Sequence, residues 1–294
     1  MKITARPPWL RKQKRLTPEV MRTRRQIDGL GLHTVCESAR CPNLGECYAC
    51  GNATFLILGD HCTRNCAFCA VEHGKPQPPD GQEGEKIADF VKGNGIRYAV
   101  LTSVTRDDLP DGGAAHFCRV VHDLRLLIPS LQIELLVPDF QGRKESVESV
   151  AALPVRVFAH NVETVPELYP PVRRGADYLR SLGVLKTAAS LRSRQDKPAE
   201  EAPRIKSGIM VGLGETEDQL QRLFGDLAAV PVEILTIGQY LQPSKFNAPV
   251  HRYYEPDEYE LLREKAVACG IRHVVAGPYV RSSYLAEQAY RCSL

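Results

Sequence analysis

HCTRNCAFCAV, His61 to Val71, sets Cys62, Cys66 and Cys69 in a C-x3-C-x2-C spacing, with Phe68 directly before the third cysteine. Three thiolates on one short loop suit an iron–sulfur cluster, because each soft sulfur can hold one iron while the intervening residues wrap the cluster without a long excursion. A four-iron cluster held this way has one iron without a protein ligand. An open coordination position is where a metal centre does chemistry. A structural zinc site would instead close itself with four ligands in paired C-x2-C knuckles, and three thiols could also simply be buried. Ligand count and spacing favour the cluster.

The loop resembles the signature of the radical S-adenosylmethionine (radical SAM) enzymes, in which the amino and carboxylate groups of the cofactor chelate the unique iron. A second triplet lies just upstream: Cys36, Cys41 and Cys47 in CESARCPNLGEC, spaced C-x4-C-x5-C. By spacing it suits a second iron–sulfur cluster, while Cys50, which forms a C-x2-C pair with Cys47, leaves a four-cysteine zinc site as the alternative. Reading further, LTSVTRDDLPDGGAAHF from Leu101, IELLVPDFQGR, AHNVETVPELY, KSGIMVGLGET, LTIGQYLQPS and AGPYVRSSYLA join the two triplets in a pattern similar to the lipoyl synthase family. The likeness runs from Cys36 to about Ala286. The cluster loop alone marks a superfamily; the first triplet together with RSSY near the C-terminus is far more specific. Thr105, where that family commonly has an acid, and Ala70, where a polar residue is frequent, depart from the pattern without removing a ligand.

Apolar runs at Thr54 to Leu58, Tyr98 to Val104, Ile133 to Val137, Val157 to Val162, Lys206 to Val211, Ile234 to Tyr240 and His273 to Ala276 read as strands. Between most of them lie helix-length stretches: Glu85 to Gly93, Ala114 to Leu127, Glu145 to Leu153, Ala176 to Leu191, Glu217 to Ala229 and Pro256 to Cys269. An earlier helix is expected from Pro18 to Leu30 and a loop at Lys197 to Arg204. The alternation predicts an α/β fold with parallel strands and crossover helices. With the resemblance added, the expectation is a partial six-stranded (β/α) barrel of the radical SAM type over residues 51–275. It would be flanked by a basic arm and auxiliary-cluster segment, 1–50, and by a C-terminal extension, 276–294, that closes the auxiliary cluster. The cysteine loop follows the first strand, at the C-terminal strand ends where such barrels do chemistry.

Other strand ends supply candidates for the cofactor. GIMVGLGE, Gly208 to Glu215, would let backbone pass close to a flat adenine ring. Asn161 and Glu163, on alternate positions, point to one side and could hold ribose hydroxyls, or else cap a strand end or form a salt bridge. Thr102 and Ser103 could bind the methionine part. Arg174 could pair with its carboxylate or with Asp177. Ser282 and Ser283 would ordinarily cap the next helix. The resemblance instead makes a serine oxygen the fourth ligand of the auxiliary cluster. Ser283 is assigned, with Ser282 the alternative, and Arg281 would steady the C-terminal segment or the substrate. The resemblance also implies two [4Fe–4S] clusters, S-adenosylmethionine and Phe68 within the cofactor site. It implies a sulfurtransferase of lipoate biosynthesis that places sulfur at C6 and C8 of an octanoyl-lysine. Its partners would be an octanoylated carrier domain, a low-potential donor such as ferredoxin or flavodoxin, and an iron–sulfur carrier protein.

Composition limits the alternatives. Ten cysteines among 294 residues, without an apolar leader, indicate metal ligation in a reducing, cytoplasmic setting rather than a disulfide framework. No apolar run approaches the about 20 residues that span a bilayer, so no membrane role is expected. A net charge of +3 does not imply nucleic acid. Cys118 and Cys269 read as core residues, and Cys50 and Cys292 as bystanders to the ligand sets. Lys2, Arg6, Arg11, Lys12, Lys14, Arg15, Arg22, Arg24 and Arg25 nevertheless crowd the N-terminal segment, with Glu19 the one acid among them. That arm could attract an acidic carrier domain or be a solvated tail. Reversing the charges at Arg11, Lys12, Lys14 and Arg15 should weaken carrier binding on the order of tenfold at low salt and much less at high salt. Unchanged binding at low salt would remove the arm from docking.

Overall fold

The computed structural model describes residues 6–12, 16–194 and 202–293. Lys2, Lys14 and Arg15 of the basic arm, and the expected 197–204 loop as far as residue 201, lie outside them. After a 3-10 turn at Pro8–Leu10 comes the first α-helix, α1 (Pro18–Leu30), entered through a Thr17 side chain that accepts the Val20 N–H and left through Gly31 in the left-handed conformation. Two short helices follow, α2 (Val35–Ser38) and α3 (Leu44–Ala49). The sheet then starts with β1 (Thr54–Ile57). Two-residue strands β2 (His61–Cys62) and β3 (Glu72–His73) pair with each other and bracket the cysteine loop.

From there strands and helices alternate as the sequence predicts: α4 (Glu83–Gly93), β4 (Tyr98–Ser103), α5 (Ala114–Leu127), β5 (Gln132–Leu136), α6 (Lys144–Ala151) and β6 (Val157–Ala159). Then come α7 (Tyr169–Val172), α8 (Tyr178–Arg194), β7 (Arg204–Val211), α9 (Glu217–Ala229), β8 (Ile234–Gln239), α10 (Pro256–Ala268), β9 (His273–Gly277) and α11 (Ala286–Arg291). Helix α9 opens on a reciprocal Thr216–Gln219 capping box. Helix α8 begins two residues later than the sequence reading, because the Asp177 side chain accepts the Arg180 N–H at 2.7 Å and so marks the start.

Among the described residues seven strands form one parallel sheet in the order β1-β4-β5-β6-β7-β8-β9, which follows the chain. Such an order, with every crossover of one hand, stacks the helices on one face and curls the sheet around the other. The fold is the expected α/β partial barrel with one strand more than six. His273–Gly277 pairs with β8 from Ile234↔His273 to Gly238↔Gly277 and extends the sheet to seven.

Residues alternate between two environments. Leu101, Ile133, Leu135 and Phe158 join the large core under the helices. Tyr98, Val100, Val157 and Ala159 face the concave side, which α11 fills with Ala286 and Tyr290. The Tyr98 and Tyr290 rings lie 5.9 Å apart. On the same side Lys206 Nζ meets Glu134 Oε1 at 2.7 Å, both side chains 1% exposed, and the Tyr98 hydroxyl donates to Glu134 Oε2 at 2.7 Å.

Glu134→Ala strands the Lys206 ammonium and should cost about 3–5 kcal/mol of stability, read as a lower urea midpoint. Replacing both residues with leucine and methionine should cost far less. A single variant as stable as the parent would show that Lys206 reaches water.

Candidate active site

The cysteine loop is held by its main chain. The Thr63 N–H donates to the Thr105 carbonyl at 3.0 Å and the Ala67 N–H to the Val172 carbonyl at 2.8 Å. The Thr63 hydroxyl also donates to Thr105 O and accepts the Asp107 N–H. Because Thr105 contributes its carbonyl, the missing acid at this position leaves the anchor intact. Inside the loop, Arg64 reaches Asp107 at 2.6 and 2.9 Å and Asp139 at 2.9 and 2.8 Å. Arg180 of α8 adds a third contact to Asp139 at 3.3 Å.

The sulfurs accept backbone N–H groups, Arg64 N to Cys62 Sγ and Val71 N to Cys69 Sγ, both at 3.4 Å. Such bonds stabilise thiolate and cluster sulfur. Burial pushes the Cys66 thiol up to about 11 and Cys69 up to about 12. Iron must therefore displace protons to bind here.

The second triplet is built on α2 and α3. Cys36 is buried, while Cys41 and Cys47 are half-buried. Burial and the proximity of the other thiols raise Cys36 to about 12 and Cys47 to about 11. Tyr48 fixes this segment: its hydroxyl bonds Thr34 at 2.7 Å and its carbonyl accepts from Thr23 at 2.7 Å.

The N-terminal arm and the C-terminal extension meet on the same segment. Asn43 Nδ2 donates to the Tyr279 carbonyl at 2.7 Å and the Tyr284 hydroxyl to Glu46 at 3.0 Å. Lys12 Nζ donates to Asn43 Oδ1 and Glu46 Oε2, both at 2.8 Å, and sits 4.4 Å above the Tyr279 ring. Lys12, counted above with an arm that would meet a partner, is thus committed inward. Cys118 and Cys269 pack against the core as expected, and Cys50 and Cys292 are exposed. Among the described residues no three His, Cys, Asp or Glu side chains converge tightly enough to grip a single metal ion.

Between the two triplets the strand ends form a polar patch. Asn161 Nδ2 donates to Glu163 Oε1 at 3.1 Å, and the Ser282 hydroxyl donates to Asn161 Oδ1 at 2.8 Å. A Cβ on Gly208 would come within 2.6 Å of both Ser282 Oγ and Thr236 Oγ1, so glycine is what lets the tail approach the sheet. Farther along the same motif, Glu215 accepts the Gly212 and Leu213 N–H groups at 2.6 and 2.9 Å and clamps the turn. Glu163 takes a positive φ of 66° while its N–H and carbonyl still pair with β7. Strain of this kind clusters at functional sites. Burial raises the Glu163 carboxyl, opposed by Arg173, Asn161 and Arg281.

The remaining candidates divide between inner and outer positions. Phe68 packs with Val172, Leu213 and Tyr240. Thr102 donates to the Leu136 carbonyl at 2.9 Å, whereas Ser103 Oγ is buried without a partner. An orphan hydroxyl beside the thiol loop suits a polar ligand. The arginine pair separates: Arg173 is turned inward to Tyr169 and Ser181 at 2.7 and 3.0 Å, while Arg174 is exposed and its carbonyl lies 4.0 Å from Cys66 Sγ. Ser282 is occupied by Asn161, and Ser283 stands half-buried beside it. Arg281 Nη1 donates to the Val280 carbonyl at 2.6 Å, and burial lowers its guanidinium, opposed by Cys41, Tyr259 and Glu163 within electrostatic reach.

Sequence reasoning missed Arg64, Asp107, Asp139, Arg173, Asn43 and Glu46. The one available signal was an arginine inside the cysteine loop followed by acids in TRDD and PDF, and no spacing rule joins them.

The chain matches the family model described as Radical SAM superfamily over residues 56–227. It is 47% identical to a lipoyl synthase of Caldicellulosiruptor saccharolyticus over 288 residues, 98% of each chain. It is 48% identical to one of Acidithiobacillus ferrooxidans, covering 97% of this chain and 88% of that one. The chain belongs to the lipoyl synthase family. It is a sulfur-inserting radical SAM enzyme, and the radical SAM family brings with it a [4Fe–4S] cluster and S-adenosylmethionine. The fold also resembles solved structures. Methylornithine synthase aligns with a TM-score of 0.54 at 15% identity, over 73% of this chain and 60% of that one. Streptococcus suis SuiB bound to S-adenosylmethionine aligns at 0.54 and 12%, over 76% and 50%. Among the described residues no helix is long and apolar enough to cross a membrane.

Burial would raise the Asp139 carboxyl, but the Arg64 guanidinium outweighs it and holds the group at about 2. A carboxyl lowered on folding stabilises the native state above its ordinary value and loses that stabilisation as pH falls towards 2. The stability gap between parent and Asp139→Asn should therefore narrow from about pH 4 downward. A gap independent of pH would mean that Asp139 contributes by shape alone.

Proposed function

We propose that the chain adds two sulfur atoms, at C6 and C8, to an octanoyl chain borne on a lysine of a carrier domain, and that Cys36, Cys41, Cys47 and Ser283 hold an auxiliary [4Fe–4S] cluster that donates them. The observation that carries this reading is the meeting of the second triplet with the C-terminal extension. Asn43 binds the Tyr279 carbonyl, Glu46 binds Tyr284, and Ser282 reaches back to Asn161 beside Glu163. One tail thus touches the segment of the second triplet and the strand-end patch assigned to the cofactor.

When bound, the cofactors supply a radical able to take hydrogen from an unactivated carbon, which no side-chain acid or base can do, and a source of sulfide. The chain's own residues do the placing. Cys62, Cys66 and Cys69 hold the first cluster. Glu163 and Asn161 are assigned to the ribose hydroxyls, Phe68 to the apolar side of the cofactor, and Thr102 and Ser103 to its methionine end. Arg174, whose main chain borders Cys66, is assigned to the methionine carboxylate. Ser283 offers a harder oxygen ligand than thiolate, so the iron it holds would leave more readily. Arg281, within electrostatic reach of Cys41 and Glu163, is assigned to steadying the C-terminal segment or the substrate. Helix α11 in the concave face excludes water from below and confines reactive groups to the strand ends. Partners of this reading are the octanoylated carrier domain, a low-potential donor such as ferredoxin or flavodoxin, and an iron–sulfur carrier protein that renews the second cluster in the cytoplasm.

A single-turnover assay on anaerobically reconstituted protein, with reductant, S-adenosylmethionine and an octanoyl-lysine peptide, tests the reading by mass spectrometry. The parent should add two sulfurs. Cys36→Ala should add none while still forming 5′-deoxyadenosine. Sulfur gain by the variant would remove the second triplet from donation, and cofactor cleavage without sulfur gain by the parent would point to a different substrate.

A further inference from the structure

The loop of residues 241–250, which follows β8, ties the two thiol segments together. At one end Arg40, the neighbour of Cys41, donates to the Pro243 carbonyl at 3.4 Å. At the other, Asn247 Nδ2 donates to the Cys69 carbonyl and the Ala248 N–H to the Ala67 carbonyl, each at 2.7 Å. The loop therefore spans the mouth between the triplets at the C-terminal strand ends.

Its tip is a fixed turn. The Ser244 hydroxyl donates to Asn247 Oδ1 at 2.7 Å and accepts the Phe246 N–H at 3.3 Å. Gln242 Nε2 donates to the Asn247 carbonyl at 2.9 Å, and the Tyr240 hydroxyl to the Ala248 carbonyl at 2.7 Å. This scaffold presents Phe246 at 87% exposure, with the Lys245 ammonium 5.1 Å from its ring centre. A phenylalanine held rigid in water gains nothing for the fold. Rigid exposed aromatics flanked by cations are typical anchors of protein interfaces. Arg252, next along the rim, is already paired with Glu258, whereas Lys245 stacks on Phe246 and Arg40 contacts a carbonyl, so their charges face outward.

We propose that Phe246 and Lys245 form the docking anchor for the carrier domain that brings the octanoyl-lysine. The partner's matching surface is an apolar patch rimmed by carboxylates beside the modified lysine. The inference rests on the proposed function, in which a carrier domain delivers a lysine-tethered acyl chain to the space between the triplets that this loop borders. The loop's ties to Cys69 and to the residue beside Cys41 place the anchor at that entrance. Neither side chain contacts a thiol, so docking can be separated from chemistry.

The test compares two substrates, an octanoylated carrier domain and an octanoyl-lysine tripeptide, on the reconstituted full chain. Phe246→Ser should lower kcat/KM for the domain about tenfold and for the tripeptide by less than about twofold. Lys245→Glu should do the same at low salt, with the loss fading at high salt. Direct binding of the octanoylated domain, which needs no turnover, should weaken in parallel. Equal losses on both substrates, or none on either, would overturn the proposal. So would a loss seen only with a protein reductant and cured by dithionite, which would give the rim to the electron donor. A parent that binds the domain through Phe246 yet adds no sulfur would keep the surface and refute the proposed chemistry. A parent and a Phe246→Ser variant that bind the domain equally would refute the surface whatever the chemistry.

Discussion

The buried guanidinium of Arg64, held by the carboxylates of Asp107 and Asp139, is the constraint on which the site depends. Arg64 lies between the first and second cysteines of the loop, Asp107 after β4 and Asp139 after β5. One side chain therefore fixes the loop to two successive strand ends. Its side chain is 8% exposed and that of Asp139 0%, so neither charge can be released to water without breaking the other's solvation. Removing one partner from such a pair costs several kcal/mol because the remaining charge stays buried and unanswered. The geometry of three thiols is thus coupled to the folding of the sheet rather than left to a loose loop.

The sheet in turn decides where the termini go. A parallel sheet with all its helices on one face leaves a concave face that must be filled, and here the chain's own last helix fills it with Ala286 and Tyr290. To get there from β9 the tail must cross the strand ends. Gly208 and Gly238 provide the clearance, since a Cβ at the latter would strike the Val280 carbonyl. The crossing brings Ser282 onto Asn161 and Arg281 within electrostatic reach of Cys41. Two thiol triplets that are neighbours in the sequence are therefore bordered by a tail from the far end of the chain because of how the barrel is plugged.

The inward turn of Lys12 changes the reading of the basic arm. By composition it was a field that could attract an acidic partner. In the fold one of its charges is spent on Asn43, Glu46 and two tyrosine rings, which joins arm, second triplet and tail. Charge counted along a sequence does not say which groups will find a partner in the same molecule. The exposed turn at Phe246 is the converse case, an apolar residue that no motif or spacing singles out and that the fold leaves in water.

The two cysteine triplets, the alternation of strands and helices, and the family were all legible in the sequence, because ligand spacing within a loop and burial pattern within an element are local properties. Asn161 and Glu163 do meet as the sequence reading expected, but β6 ends at Ala159 and Glu163 takes a positive φ, so the path of the chain after the strand, not strand alternation, brings them together. The seventh strand's place in the sheet, the clamp of Arg64 on Asp139 and the commitment of Ser282 to Asn161 were not legible. Each depends on contacts between residues tens to more than a hundred positions apart, as with Ser282 and Asn161 or Arg64 and Asp139. Residue types along the chain specify which groups can bond, whereas the closing of the sheet and the path of the tail specify which of them meet.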